Sequence, residues 1–271
     1  MNEITKLLSG YFAAEMTMWL TRYTLVAGGA FLVVWVLFRK YFAKRRIQDV
    51  FPKASRHWKE IGWSLATFLV FVTIGTSIFL FKKNGYTQIY TDIDKYGWGW
   101  YIASFFVFIV LHDAYFYWAH RFMHWKPVFK HVHAVHHHST NPSPWAAFAF
   151  HPLEAVLEYV FLFPLIFILP FHYTILIMFT NYMIAMNVMG HLGYELYPRK
   201  FSSHWFGKWH TTSTHHNMHH KYFNCNYGLY FQWWDRAFGT NHPEYHNQFD
   251  AVREREIAPG EAVAAGAKRA A

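Results

Sequence analysis

Cysteine is nearly absent from this chain, because Cys225 is the single cysteine among 271 residues. One thiol cannot form an intramolecular disulfide, and nothing in the composition indicates an oxidising compartment. A cysteine-based zinc finger is excluded as well, since no second cysteine exists to share the metal. The first residues lack a basic segment followed by a cleavable apolar core, so we predict no signal peptide. No glycine-rich fingerprint follows a strand, and we expect no bound flavin or nicotinamide.

Charge is scarce inside the long apolar runs. The chain is 54% hydrophobic and 22% aromatic, yet its mean hydropathy is only +0.02, so apolar residues must be concentrated in segments. A transmembrane helix needs roughly 20 predominantly apolar residues. The last two candidate segments form either two full spans or one re-entrant hairpin. The candidates are 24–38 (extended back to residue 19), 62–81, 100–111 (continuing into a polar segment), 155–171 and 173–189.

Basic residues are concentrated in one loop between the first two apolar runs, in a chain of formal net charge +9. The positive-inside rule places such a loop in the cytoplasm. Counting spans from there brings segments 112–154 and 191–271 to the same side. The neighbouring runs are too continuous for an exposed nucleic-acid surface, so no nucleic-acid partner is expected. The loop contains Arg39, Lys40, Lys44, Arg45, Arg46, Lys53, Arg56 and Lys59.

Histidine is abundant, with 20 residues, and nearly all of them lie in the two segments that the topology brings together. Residues four apart on a helix share a face, which suits two ligands of one metal. His120 and His124 have this spacing. Two further motifs place three histidines at positions i, i+3 and i+4, and His191 at the end of the fifth run is a natural ninth ligand. The two motifs are His133, His136 and His137, and His216, His219 and His220.

Nine imidazoles are too many for one metal ion and suit two, with positions left for oxygen or water. Imidazole binds iron, zinc, copper and nickel. Carboxylates are scarce in the motifs, so we expect a site made almost wholly of nitrogen ligands. Metal-bound histidines usually donate their other ring N–H to a neighbouring group, for which Asp113 and Glu154 are the nearest candidates. His151 and His215 are second candidates for such supporting or substrate-side roles, and Asp235 either orients a ligand or pairs with Arg236.

These motifs resemble those of the fatty acid hydroxylase and sterol desaturase superfamily of integral membrane di-iron proteins. The resemblance covers residues 100 to 240 and includes the spacing between the motifs. It is specific, because three histidine boxes occur in order with a hydrophobic hairpin before the last. The matching segments are HDAYFYWAHRFMH (112–124), HAVHHHSTNPSPW (133–145), HPLE (151–154), HHNMHH (215–220) and NYGLYFQWWDRAFGT (226–240).

The resemblance implies a set of metal ligands and a reaction. The eight box histidines would ligate two iron ions, and His191 matches an isolated family histidine. Some relatives have a His-x-x-x-His pair there, whereas this chain has Asn187, which puts a tenth ligand in doubt. The implied reaction is dioxygen-dependent hydroxylation or desaturation of a lipid taken from the bilayer, with hydroxylation modestly favoured. Electrons would come from a ferredoxin or a small haem protein with its reductase.

The sequence therefore predicts an all-α integral membrane protein with about four to five transmembrane helices and a cytoplasmic helical cap that holds a His-rich dinuclear metal site. We expect N-terminal transmembrane helices and the basic loop over 1–99, a hydroxylase-like catalytic domain over 100–245 and a mobile tail over 246–271. Two alternatives stay open. A membrane zinc hydrolase would need a general-base glutamate, and a metal-handling membrane protein would need ionisable residues within its spans.

Overall fold

The structure, a computed structural model, describes residues 3–255 and is built mainly of helices. Within that part of the chain, four helices are long and apolar enough to cross a membrane. The all-α membrane fold expected from the sequence is confirmed, and the chain is an integral membrane protein. The four are α1 (Glu3–Tyr23) with its π-helical continuation through Thr24–Gly28 and Phe31–Leu37, α3 (Ala54–Lys83), α4 (Gly97–Met123) and α9 (Tyr173–Gly190).

The first span begins much earlier than the predicted segment 24–38, and it contains charged residues. Tyr11 donates a hydrogen bond of 2.8 Å to the Glu15 carboxylate, and the Arg22 guanidinium donates one of 3.0 Å to the Thr180 hydroxyl. The prediction that the spans are almost uncharged was therefore wrong for this helix. Polar partners inside the bundle reduce the cost of keeping these groups away from water.

The predicted fourth span, 155–171, is not one helix. It consists of α7 (Pro152–Val160) and α8 (Leu162–Ile168), which are separated at Phe161. Pro164 explains the break, because proline has no N–H to donate to the carbonyl four residues earlier and its ring clashes with that carbonyl. The fifth predicted span corresponds to α9.

The hairpin made by α7, α8 and α9 nevertheless extends to the far end of the bundle. Its turn contains strand β2 (Phe171–His172), which pairs in parallel with β1 (Ile89–Tyr90) in the connection between α3 and α4. The Trp100 indole also donates a 2.7 Å hydrogen bond to the Pro170 carbonyl. A shallow re-entrant hairpin does not fit this arrangement.

The opposite end of the bundle, which we call the histidine end, carries the short helices. The basic loop lies there too, because the Gln48 amide donates hydrogen bonds to the Thr140 carbonyl at 2.9 Å and to the Asn217 side chain at 2.8 Å. The basic loop and both histidine-rich segments thus share one end, as the topology predicted. The short helices are α2 (Arg39–Phe42), α5 (Lys126–Val132), α6 (Ala134–His137), α10 (Ser213–Tyr222), α11 (Trp233–Ala237) and α12 (Tyr245–Glu254).

Aromatic side chains pack the bundle beneath the histidine end. Trp19 of α1 stacks on Phe68 of α3 with ring centroids 5.7 Å apart, and Phe148 meets both rings. The Trp35 indole donates a 2.8 Å hydrogen bond to the Leu192 carbonyl, which joins the end of the first span to the residue after His191. The floor of the site is therefore closely packed with aromatic side chains.

The first part of the predicted C-terminal tail is a helix. Helix α12 covers the first part of segment 246–271, and its Tyr245, Phe249 and Val252 side chains are buried. Tyr245 and Phe249 pack with Met218 of α10. The apolar face of this helix is short, and the structure shows it packed against its partner. Residues 256–271 of the predicted tail lie outside the described part of the chain.

Candidate metal centre

The nine predicted metal ligands lie together at the histidine end in two groups. In each group, the ligand nitrogens all lie within 4.8 Å of one another. Helices α4, α6, α9 and α10 and the α5–α6 junction supply them. The five-histidine group contains His120, His124, His133, His137 and His219, and the four-histidine group contains His136, His191, His216 and His220.

The two three-histidine motifs are divided between the groups. In the first motif, His133 and His137 belong to the five-histidine group and His136 belongs to the four-histidine group. In the second motif, His216 and His220 belong to the four-histidine group and His219 belongs to the five-histidine group. On a helix, residues i and i+4 differ by about 40° in direction, whereas residue i+3 points about 60° to the other side. Each motif therefore supplies an i, i+4 pair to one group and its i+3 residue to the other.

Oxygen acceptors fix the ring tautomer of four ligands. The Nδ1 atoms of His120, His191 and His219 lie 2.9, 2.8 and 2.7 Å from the backbone carbonyl oxygens of Tyr227, Asn187 and Cys225. A carbonyl oxygen only accepts hydrogen bonds, so each Nδ1 carries the hydrogen. The fourth case is His133, whose Nδ1 lies 2.6 Å from a Glu154 carboxylate oxygen. In these four neutral rings, the Nε2 atom is unprotonated and carries a lone pair.

In the five-histidine group, two of these lone pairs meet without a hydrogen between them. The Nε2 atoms of His120 and His133 are 3.1 Å apart, although both rings hold their hydrogen on Nδ1. Lone pairs at such a distance repel unless a cation lies between them. In the other group, the His191 lone pair lies 3.1 Å from the Nε2 atoms of His216 and His220, whose own tautomers are not fixed by an oxygen acceptor. The donor set therefore fits a metal ion in each group, and imidazole nitrogens suit first-row transition metals such as iron.

Burial keeps the ligand imidazoles neutral at physiological pH. Loss of solvent lowers the pKa of His124 to about 2 and that of His191 to about 4, with neighbouring His120 adding to the effect in both cases. Burial and the neighbouring histidines also hold the pKa of His136 and His219 well below the usual range. Neutral imidazole is the metal-binding form, so the centre is ready to bind metal without releasing protons from these rings.

The metal-free protein is expected to lose stability in mild acid. Because the pKa of His191 falls from 6.5 to about 4 on folding, the unfolded chain takes up the proton first as the pH drops. Stability is therefore complete above pH 6.5 and falls towards pH 4, by roughly 1.4 kcal/mol per pH unit for each such histidine. Thermal unfolding of metal-stripped protein between pH 8 and 5 measures this. The decrease in stability with falling pH should be smaller in His191→Ala. A stability that does not change with pH in the parent protein would contradict the prediction.

Among the predicted supporting carboxylates, Glu154 is the one that contacts a predicted ligand directly. It is fully buried and accepts the His133 Nδ1 hydrogen. Glu154→Ala should lower metal affinity about 10- to 100-fold, the usual effect of removing such a partner. Glu154→Gln should lower metal affinity less, because the amide oxygen still accepts the hydrogen of His133 Nδ1. Metal titration against a competing chelator distinguishes the variants, and native affinity in Glu154→Ala would exclude the role.

Two other predicted supporting residues act at a distance from the ligands. The Asn187 amide donates a 2.6 Å hydrogen bond to the Ala147 carbonyl, and its backbone oxygen accepts the hydrogen of His191 Nδ1. Asp113 accepts hydrogen bonds from the backbone N–H groups of Tyr230 and Phe231 at 2.9 and 3.1 Å. Asp113 therefore holds the segment after the last box against α4.

The remaining three candidates also lie outside both groups. Asp235 accepts hydrogen bonds from the backbone N–H groups of Tyr227 and Gly228, both at 2.8 Å, so it orients His120 only through the Tyr227 carbonyl. Its nearest histidine contact is with His215 Nε2 at 3.7 Å. His151 accepts a hydrogen bond from the Leu153 N–H at the start of α7. None of these three contacts a ligand ring by hydrogen bond.

Sequence reasoning missed two buried glutamates that support the site. Glu60 accepts 2.7 Å hydrogen bonds from Ser139 and Ser143, in the loop that follows the second box. Glu195 accepts hydrogen bonds from the N–H and hydroxyl of Thr214 in the first turn of α10.

One opening leads to the five-histidine group. His124 is its half-buried member, and the other eight ligands are buried. A cavity of about 240 Å³ lies beside it, between Lys126, Phe129, Phe223 and Tyr227. The Tyr227 ring lies 5.2 Å from the His124 ring. Small molecules can thus approach this group from the polar surface between aromatic side chains.

Comparison with known proteins agrees with this arrangement. A fatty acid hydroxylase family model matches residues 105–240. The chain is 30% identical to Delta(7)-sterol 5(6)-desaturase ERG3B of Gibberella zeae, over 83% of this chain and 70% of that protein. It is 31% identical to Delta(7)-sterol 5(6)-desaturase erg3C of Aspergillus fumigatus, over 74% and 68%. It is 34% identical to lathosterol oxidase of Rattus norvegicus, over 65% and 58%. No solved structure matches the chain.

Proposed function

Because this chain belongs to the fatty acid hydroxylase and sterol desaturase superfamily, we propose that it is a membrane oxidoreductase that uses two iron ions and dioxygen to hydroxylate or desaturate a lipid. The observation that carries the proposal is the convergence of imidazole lone pairs in two neighbouring groups. The rings of His137 and His220 lie 4.8 Å apart across the boundary between the groups. Iron ions held by the two neighbouring groups would together supply the reduction of one dioxygen molecule.

Bound iron would supply the chemistry that reduces dioxygen and thereby oxidises an unactivated C–H bond of the lipid. The protein's part is positional. The nine imidazoles hold the metal ions, and the acceptors of His120, His133, His191 and His219 fix the ring orientations. The Phe150 ring lies 5.1 Å from His136, and the Phe223 ring lies 4.7 Å from His137. These aromatic rings keep water away from the ligands.

The substrate and the electrons come from different sides in this proposal. The lipid enters from the bilayer, and the electrons come from a ferredoxin or a small haem protein with its reductase, since the resemblance implies an external donor. We assign the histidine end to the cytoplasm because the basic loop lies at that end and positive residues favour the cytoplasmic side. Residues 100–245 would form the catalytic unit. Both sterols and acyl lipids fit the class of reaction that the relatives' names describe.

Lipid mass spectrometry on host membranes tests the function, with the intact gene compared with a His136→Ala copy and the electron donor present. A species that gains one oxygen only with the intact gene establishes a hydroxylase and identifies its substrate. A species that loses two hydrogens establishes a desaturase. Identical lipids in both strains would refute the proposal.

The two alternatives differ from the proposal in the residues they require. A zinc hydrolase needs a free general-base carboxylate near the metal, but Glu154 is engaged by His133. A metal transporter would use charged residues in its spans, and Glu15 and Arg22 lie in the first span. Metal flux into liposomes, measured with the intact protein and Glu15→Gln, decides that question directly. Flux that depends on Glu15 would favour transport over oxidation.

A further inference from the structure

A groove with basic walls lies at the histidine end, outside the metal groups. It consists of two adjoining cavities of about 360 and 350 Å³ that share Arg56, Lys59, His138 and Ser139. Its one wall is the start of α3, and its other wall is the loop that follows the second histidine box. We call it the basic groove. Each cavity has a volume typical of a small-molecule site.

The cations of the basic groove have no acidic partner. Lys53, Arg56 and Lys59 line it, and within residues 3–255 their side chains form no recorded ion pair or hydrogen bond. Three unpaired positive charges that converge on one groove create a field that attracts an anion. Setting the membrane topology requires basic residues in the loop but does not require them to converge on one groove.

The acidic side chain that lines the groove is already engaged. Glu60 is 2% exposed, and its two oxygens accept hydrogen bonds from Ser139 and Ser143. The second oxygen also lies 3.3 Å from His57 Nδ1. Glu60 therefore fixes the wall of the groove without contacting the cations, and the cations remain available to a ligand.

The groove changes character along its length. Beyond Arg56 and Lys59 its lining contains Trp63, Val135 and Ala149. Trp63 lies seven residues after Arg56 on α3, which corresponds to about 10 Å along the helix towards the bilayer. Val135 and Ala149 precede His136 and Phe150 in the chain, and those two rings are 5.1 Å apart. One groove thus joins a cationic mouth to an apolar region beside the four-histidine group.

We propose that the basic groove binds the anionic headgroup, a carboxylate or a phosphate, of the lipid substrate. Arg56 and Lys59 contact the headgroup, Lys53 strengthens the field at the mouth, and the hydrocarbon chain runs past Trp63 towards the bilayer. This places the headgroup at the membrane interface, where lipid anions lie. Binding of an anionic lipid in the groove does not require catalysis, whereas the identity of that lipid as the substrate rests on the proposed function.

The test measures binding by the full chain in an uncharged detergent, by native mass spectrometry and by titration. The probes are dodecyl phosphate, dodecanoate and dodecanol, which share one chain and differ in the headgroup. We expect saturable binding of one anionic molecule per protein, with dodecanol weaker by about tenfold or more. Inorganic phosphate at equal concentration should not displace the lipid. Displacement by it, or equal affinity for dodecanol, would overturn the proposal.

Matched double variants separate the groove from general attraction to a basic surface. Arg56→Gln/Lys59→Gln should weaken dodecyl phosphate binding by about tenfold, with an unchanged thermal unfolding midpoint. Lys40→Gln/Lys44→Gln removes the same charge from exposed positions of the loop outside the groove and should leave the affinity unchanged. Equal weakening in both doubles would show non-specific attraction and refute the groove.

Failure of this inference is distinguishable from failure of the proposed function. Binding is also measured in His136→Ala, which lies outside the groove lining and should bind the probe normally. Selective binding without any oxidised lipid in host membranes would retain the groove and reject the oxygenase. Oxidised lipid without selective binding would retain the oxygenase and reject an anionic headgroup.

Discussion

Replacing His219 by alanine should empty one metal position and replacing His136 should empty the other, with loss of lipid oxidation in both variants. His219 belongs to the five-histidine group and His136 to the four-histidine group. Both rings are buried, so water cannot readily replace the missing nitrogen at full strength. Removing a group that only supports a ligand already costs about 10- to 100-fold in affinity or activity, and removing the ligand should cost more.

Metal analysis of purified protein measures this outcome as metal ions per chain. We expect a decrease from about two to about one in each single variant and to near zero in the double variant, on the premise that two ions bind. His131→Ala is the matched control, because His131 is exposed and lies outside both groups. Full metal content and turnover in both single variants would defeat the ligand assignment.

Asp235→Ala should destabilise the protein by about 3 kcal/mol or more, because it leaves several buried donors without an acceptor. The carboxylate accepts hydrogen bonds from the N–H groups of Tyr227 and Gly228 and from the Thr240 hydroxyl at 2.7 Å. Asp235 is fully buried. The Tyr227 carbonyl accepts the His120 hydrogen, so release of this loop should also weaken metal binding at the five-histidine group.

Thermal unfolding together with metal content tests the Asp235 variant. Arg236→Ala is the control, because Arg236 is the exposed neighbour that sequence reasoning offered as an ion-pair partner. In the structure its guanidinium lies over the Trp209 ring at 5.5 Å instead. We expect Arg236→Ala to change stability by less than about 1 kcal/mol. Equal destabilisation by both substitutions would show that Asp235 acts through Arg236 after all.

The spans that sequence predicted well are those whose signal is local. The helices α3, α4 and α9 follow continuous apolar runs, and hydropathy measures that property directly. The start of α1 was missed because it contains Glu15 and Arg22, and the hydrogen-bond partner of Arg22 is Thr180, which is distant in sequence. The break between α7 and α8 had a visible cause in Pro164, but the run around it was read for composition alone.

The supporting atoms of the site show the same limit. Glu154 was found because a carboxylate near a histidine box has a clear chemical role. The acceptors of His120, His191 and His219 are backbone carbonyl oxygens, and every residue has one, so residue type carries no signal. Glu60 and Glu195 were missed for a related reason, since their partners Ser139 and Thr214 come from segments far away in the chain.

The sequence by itself determined which imidazoles face the site, because helical periodicity within each box sets the direction of its side chains. It also determined that apolar runs bring both histidine-rich segments to one end of the bundle. Only the tertiary structure decided how nine histidines divide into groups of five and four. That division depends on how α4, α6, α9 and α10 pack against one another, and distances between segments remote in sequence follow from packing, which no local pattern records.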